Sequence, residues 1–203
     1  MSESTQRIVN LGPEWMSAEM PSGYHNRVAE IIRLTTDLEK LGRYGRLLTD
    51  TGSPLAAIIC DLLGTMQLDA SLQPGEFPTT VVVRLAGRGR LLLHASAESQ
   101  TVQKKSSEIG AAFQLLHEVA DEQDHVVLIT NVDPDKKPAD RGAALADDAA
   151  AFLRRMGVSH VAGSTLFALW KLSLQEPDAA RQQVQRLQGH EGGTWDLPAA
   201  VKG

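Results

Sequence analysis

A single cysteine, Cys60, rules out any disulfide within the chain. It stands in the apolar run AAIICDLL, where a small buried hydrophobe is the simplest role. Aromatic residues make up only 4% of the sequence, so its core must be built from Leu, Val, Ile and Ala. No apolar run approaches the roughly 18 residues that span a bilayer, and no membrane association is expected. Positive charge is not in surplus: the formal net charge is −5. That excludes a global attraction for polyanions but leaves room for a local basic patch. The opening MSESTQRIVN has no basic region followed by an apolar stretch. A secretory leader is therefore not expected, and a reducing cytoplasm is the expected location.

What is present is a chain of 203 residues, 42% hydrophobic, enough for one packed domain with an appendage. Three segments are expected: an N-terminal arm and long helix over 1–48, an α/β domain over 49–188, and a flexible tail over 189–203. From His25 to Leu48 the residues Val28, Ile31, Ile32, Leu34, Leu38 and Leu41 recur at helical spacing. Gly42 and Gly45 weaken the last turn. This helix is expected either to lie on its own domain or to pair with a second copy. A homodimer and a protein partner are expected, with nucleic acid as a further candidate.

Ser53 and Pro54 read as the start of a helix running to residue 65. QLDASLQPGEFP reads as a loop or short edge strand. TTVVVRL and RLLLHA, joined by AGRG, make an antiparallel hairpin. A helix is expected over about 102–122, then HVVLITN as a buried strand of parallel type. A helix over 144–156, the strand VSHVAG, a helix over TLFALWKL capped by Ser164, and a polar helix over 178–188 complete the order. After Gly189 only Trp195 suggests an anchor. Helix, hairpin, helix, strand, helix, strand, helix is an α/β order.

Four stretches in this order carry a resemblance. They are RLLTDTGSPLAAIICDLLGTM, the hairpin with KKSSEIGAAFQLL, LITNVDPDKKPADR, and GVSHVAGSTLFALWK. Together, over about residues 24–175, the chain resembles the restriction-endonuclease-like, or PD-(D/E)xK nuclease, superfamily. The resemblance is to a bacterial branch with an N-terminal helical segment. It implies a restriction-endonuclease-like three-layer fold: a mixed central sheet flanked by helices, preceded by a long N-terminal helix. It also implies that Asn131 and Arg141 brace a loop rather than do chemistry.

Active members of that superfamily hold Mg²⁺ with an acid at the start of the second strand and an acid two residues before a lysine on the third. A glutamate of the first helix often adds a ligand. Mg²⁺ demands hard, charged oxygens, and metal with lysine stabilises the phosphorane and activates water. By the resemblance those positions here are Ala56, Pro78 or Thr79, His94 and Ser96. None carries the required charge, and a nitrogen donor such as His94 is a poor Mg²⁺ ligand. No catalytic residue, metal or cofactor is therefore expected, and the chain reads as a non-enzymatic, nuclease-like interaction or scaffolding module.

Two alternatives stay open. One is a Mg²⁺-dependent nuclease whose site has migrated to Glu76, His94 and Glu98. The other is a DNA-binding protein without cleavage, using Arg27, Arg33, Arg43, Arg46, Arg88 and Arg90 on phosphates. A meeting of His94 and His160 at the ends of adjacent strands is the lesser reading; buried, hydrogen-bonded core histidines are expected. The charged loop DPDKKPADR lacks the spacing of a calcium loop and reads as a solvated turn.

Overall fold

The computed structural model describes residues 14–87 and 89–198. They fall into two compact units, divided after Arg43.

The first unit carries a 3-10 turn over Glu14–Glu19 and helix α1, Tyr24–Arg43. No residue of α1 is buried, and Ile31, Leu34, Leu38 and Leu41 are exposed. The helix ends before Gly45, where the chain tightens into a 3-10 turn over Tyr44–Leu48. The expected helix thus closes early, as its two glycines suggest.

The second unit is an α/β domain: a six-stranded mixed sheet flanked by helices. Its strands are β1 Asp69–Leu72, β2 Thr80–Leu85, β3 Gly89–Ala95, β4 His125–Thr130, β5 Ser159–Ala162 and β6 Gly193–Thr194. They lie side by side in chain order. β1, β2 and β3 are antiparallel, and β3 to β6 are parallel. The two central strands are near-continuous apolar runs, LLLHA and HVVLIT, because both faces are covered.

The helices are α2 Gly52–Thr65, α3 Ser107–Gln114 with a wider turn over Leu115–Val119, α4 Asp147–Met156, α5 Gly163–Gln175 and α6 Pro177–Gln188. Strand periodicity divides the core. Leu91, Leu93, Ala95, Val127, Ile129 and Val161 pack with α2, α5 and α6. Leu92, Val126, Leu128 and Val158 pack with α3 and α4.

Several boundaries differ from those read off the sequence. α3 and α4 each start late because Val102 and Leu145 form a parallel bridge. The Val102 amide donates to the Ala144 carbonyl, and the Ala146 amide donates to the Val102 carbonyl, each at 3.0 Å. Both side chains are buried, but from extended backbone. Ser53 and Ser164 are not caps: α2 begins at Gly52 and α5 at Gly163, neither with a side-chain cap. The tail expected to be loose from Gly189 is docked over residues 193–197. β6 pairs with β5, the Trp195 amide donates to the His160 carbonyl, and Trp195 and Leu197 are buried in the core. The edge of β5 supplies the missing partners.

Candidate functional site

The chemistry-bearing residues gather where β3 ends. Ser96 continues the sheet by donating its amide to the Ile129 carbonyl, and the Gly52 amide donates to the Ser96 carbonyl at 2.7 Å. On the other side the Ala95 amide donates to the Thr79 carbonyl, and Thr80 stands opposite His94. The N-terminus of α2, the start of β2 and the end of β3 thus converge, bringing the positions expected to be degenerate into one neighbourhood.

They do not share a face. Ala56 lies in the core beneath α2 together with Ala95. A Cβ on Gly52 would lie 3.5 Å from the Ala97 Cβ, so Ala97 also faces α2. His94 points the other way, onto α3. His94 and Ser96, the acid and lysine positions by the resemblance, therefore do not share the face of Ala56. A strand places successive side chains on opposite faces, so a one-residue slip changes every assignment. The residues facing α2 are Ala95, the last of β3, and Ala97 just beyond it. Pro78 is exposed and Thr79 half-buried.

On the α3 side, His94 has a partner the sequence did not suggest. His94 Nε2 lies 3.2 Å from Glu108 Oε2, and both residues are buried. His94 Nδ1 lies 3.1 Å from Thr80 Oγ1 and 3.3 Å from Thr79 Oγ1. Glu108 Oε1 accepts from the Ala97 amide at 3.2 Å. Glu108 stands in the first turn of α3, where a carboxylate is favoured by the helix dipole. Hydroxyl, imidazole and carboxylate form one chain, with the acid orienting the ring. Thr80 is fully buried, so its hydroxyl has no direct exposure to a substrate. The only local signal for Glu108 is its place behind two serines at a helix start.

Glu76, His94 and Glu98 are not brought together. Glu76 is exposed on the segment between β1 and β2. The Glu98 carboxylate accepts from Ser106 Oγ at 2.9 Å and Ser107 Oγ at 3.4 Å, ahead of α3. Among the described residues no three His, Cys, Asp or Glu side chains are grouped to hold a metal ion. His94 and His160 do not meet either. They flank Leu128, one on β3 and the other on β5, with β4 between them. Two strand spacings of about 4.8 Å separate them.

His160 instead bonds Thr130 Oγ1 through Nε2 at 2.9 Å, while its buried Nδ1 has no hydrogen-bond partner. Burial pulls its pKa down to about 4. Ser159 Oγ lies 2.8 Å from His125 Nε2 and 2.7 Å from His190 Nδ1. Burial, then the neighbouring His190, lowers the His125 pKa to about 4.

The Asn131 and Arg141 pair acts on the entry to α2. Asn131 Nδ2 donates to the Leu47 carbonyl at 2.9 Å and the Asp50 carbonyl at 2.7 Å. Arg141 Nη2 donates to the Leu48 carbonyl at 2.6 Å, and Nε to the Lys136 carbonyl at 3.0 Å. Asn131 and Arg141 also border a cavity of about 110 Å³ at the ends of β4 and β5, with Thr130 and Ser164. In the same loop Lys136 and the Gly142 amide hold the Asp133 carboxyl below its usual range.

The arginines proposed for phosphate contact are largely engaged. Arg27 pairs with Glu30, Arg33 with Asp37, and Arg46 with Asp50. Arg43 is the last residue of α1. Arg88 lies outside the described residues. Arg90 is held by Asp124 through Nε at 2.9 Å and through its backbone amide at 2.7 Å, and it also pairs with Asp121. Burial raises the Asp124 carboxyl, but its bonds to Arg90 and to the Asp121 amide bring it below the ordinary value. Arg90 is therefore a clasp between the start of β3 and the turn before β4, not an open phosphate contact.

No family model, curated protein or solved structure matches this chain.

Proposed function

We propose that the chain is a nuclease-like α/β domain that has lost its metal site and works as a protein-interaction or scaffolding module. The observation that carries this reading is the composition of the α2-facing strand end. Ala56, Ala95 and Ala97 stand there, and none can offer the charged oxygen that Mg²⁺ requires. The nearby buried carboxylate, Glu108, lies on the opposite side of β3 and is engaged by His94 and the Ala97 amide. The resemblance to PD-(D/E)xK nucleases implies a bracing role for Asn131 and Arg141. Their bonds to the Leu47, Leu48 and Asp50 carbonyls support it. A scaffold of this kind persists without chemistry because its two apolar layers do not depend on active-site acids.

Titration calorimetry of the full chain with Mg²⁺ and Mn²⁺ tests the reading. The expected result is no saturable heat and no metal-dependent cleavage of single- or double-stranded DNA. Stoichiometric binding of either ion, or cleavage that the ion switches on, overturns it.

A further inference from the structure

We propose that α1 is a self-association element, and that its occupant is α1 of a second copy in a parallel two-stranded coiled coil. The inference supplies the partner for the interaction module above and rests on that reading.

α1 is a 20-residue helix with no buried residue. Yet Ile31, Leu34, Leu38 and Leu41 are 38%, 47%, 69% and 45% exposed. Their separations alternate three, four, three. That is the 3.5-residue repeat of a coiled-coil seam. They take positions a, d, a and d; Ile31 at a with Leu34 at d is the pairing that favours two strands, and Leu38 takes the second a position. The neighbouring stripe, Val28, Ile31, Thr35, Leu38 and Gly42, is interrupted by a hydroxyl and a glycine. The all-aliphatic stripe is therefore the better seam.

The flanking residues choose the orientation. Beside the seam, the g positions are Glu30 and Asp37, and the e positions are Val28, Thr35 and Gly42. In an antiparallel pair g faces g, which sets Asp37 of one copy against Asp37 of the other. In a parallel pair g faces e, and each acid meets a neutral residue. Glu30 and Asp37 are in addition bound to Arg27 and Arg33 of their own helix. One turn before the seam the d position is Arg27, so the apolar contact begins at Ile31. A seam from Ile31 to Leu41 is short, and short helices are marginal alone. The association is a reversible monomer–dimer equilibrium.

Sedimentation equilibrium of the full chain tests the association. Wild type is expected to dimerise as concentration rises, and Leu38→Glu to remain monomeric. Leu38 is the most exposed of the four, so this variant keeps the monomer's fold, which its circular dichroism spectrum checks. For orientation, Leu41→Cys in a Cys60→Ser background is expected to cross-link to itself on mild oxidation, and Arg33→Cys to do so far less. A wild type that stays monomeric, a dimer indifferent to Leu38→Glu, or a dimer in which Leu41→Cys does not cross-link overturns the proposal. Metal titration addresses the loss of the active site independently, so either reading can fail alone.

Discussion

His94 Nε2 and Glu108 Oε2 face each other at 3.2 Å across the layer between β3 and α3, with both side chains buried. At the end of β3 the molecule thus holds a closed polar cluster. Its groups satisfy one another: Thr80 the ring's far nitrogen, and the Ala97 amide the carboxyl's second oxygen.

Removing one member of this pair leaves the other buried without its partner. Glu108→Leu is expected to lower unfolding free energy by about 1–3 kcal/mol. The double variant His94→Leu/Glu108→Leu is expected to lose clearly less than the sum of the two single changes. Urea unfolding of the four chains gives the coupling; additive losses would show that the two side chains do not interact.

Gly163 is where α5 leaves the sheet. A Cβ there would lie 2.1 Å from Asn131 Oδ1 and 2.4 Å from the Leu47 carbonyl. The α5 start and the Asn131 brace therefore occupy one tight site. Gly163→Ala is expected to cost about 3 kcal/mol or more through overpacking. Asn131→Ala is expected to cost about 1–3 kcal/mol by freeing the buried Leu47 carbonyl and the half-buried Asp50 carbonyl. Combining the two should relieve part of the clash, giving a loss smaller than the sum. The backbone carbonyl keeps the relief incomplete. Thermal unfolding of the three variants checks both points.

Acid should weaken the fold in a defined window. His125 and His160 are held near pKa 4, against 6.5 for an unburied imidazole. Between those values the unfolded chain binds protons that the native chain refuses, so stability rises with pH there. The contribution is complete above pH 6.5 and is lost as pH falls towards 4, by up to about 3 kcal/mol per imidazole. Denaturant midpoints measured from pH 7 to pH 4 should fall through this interval. Replacing His160 by Gln should flatten the slope. A midpoint constant across that range contradicts the assignment.

Arg90 serves structure. Asp124 is 3% exposed, and its charge is satisfied by Arg90. Arg90→Met should therefore destabilise the domain by about 1–3 kcal/mol. In a gel-shift series at low salt, wild type is expected to leave duplex DNA unshifted, because Arg27, Arg33, Arg46 and Arg90 are each matched by an acid. A salt-dependent shift that Arg90→Met weakens would instead favour nucleic-acid binding.

Much of the architecture is legible in the residues themselves. Alternation and apolar runs mark β2, β3 and β4, helical spacing marks α1, and Pro54 marks the start of α2, because these signals depend on local geometry alone. The single cysteine and modest net charge likewise follow from the chain's chemistry. The pairing of Val102 with Leu145, of β6 with β5, and of His94 with Glu108 has no local signature. Each joins segments whose proximity exists only after the sheet forms. The face of β3 on which a side chain lands was also decided there: a period of two turns a one-residue uncertainty into a reversal. That is why Ala95 and Ala97, rather than His94 and Ser96, look towards α2.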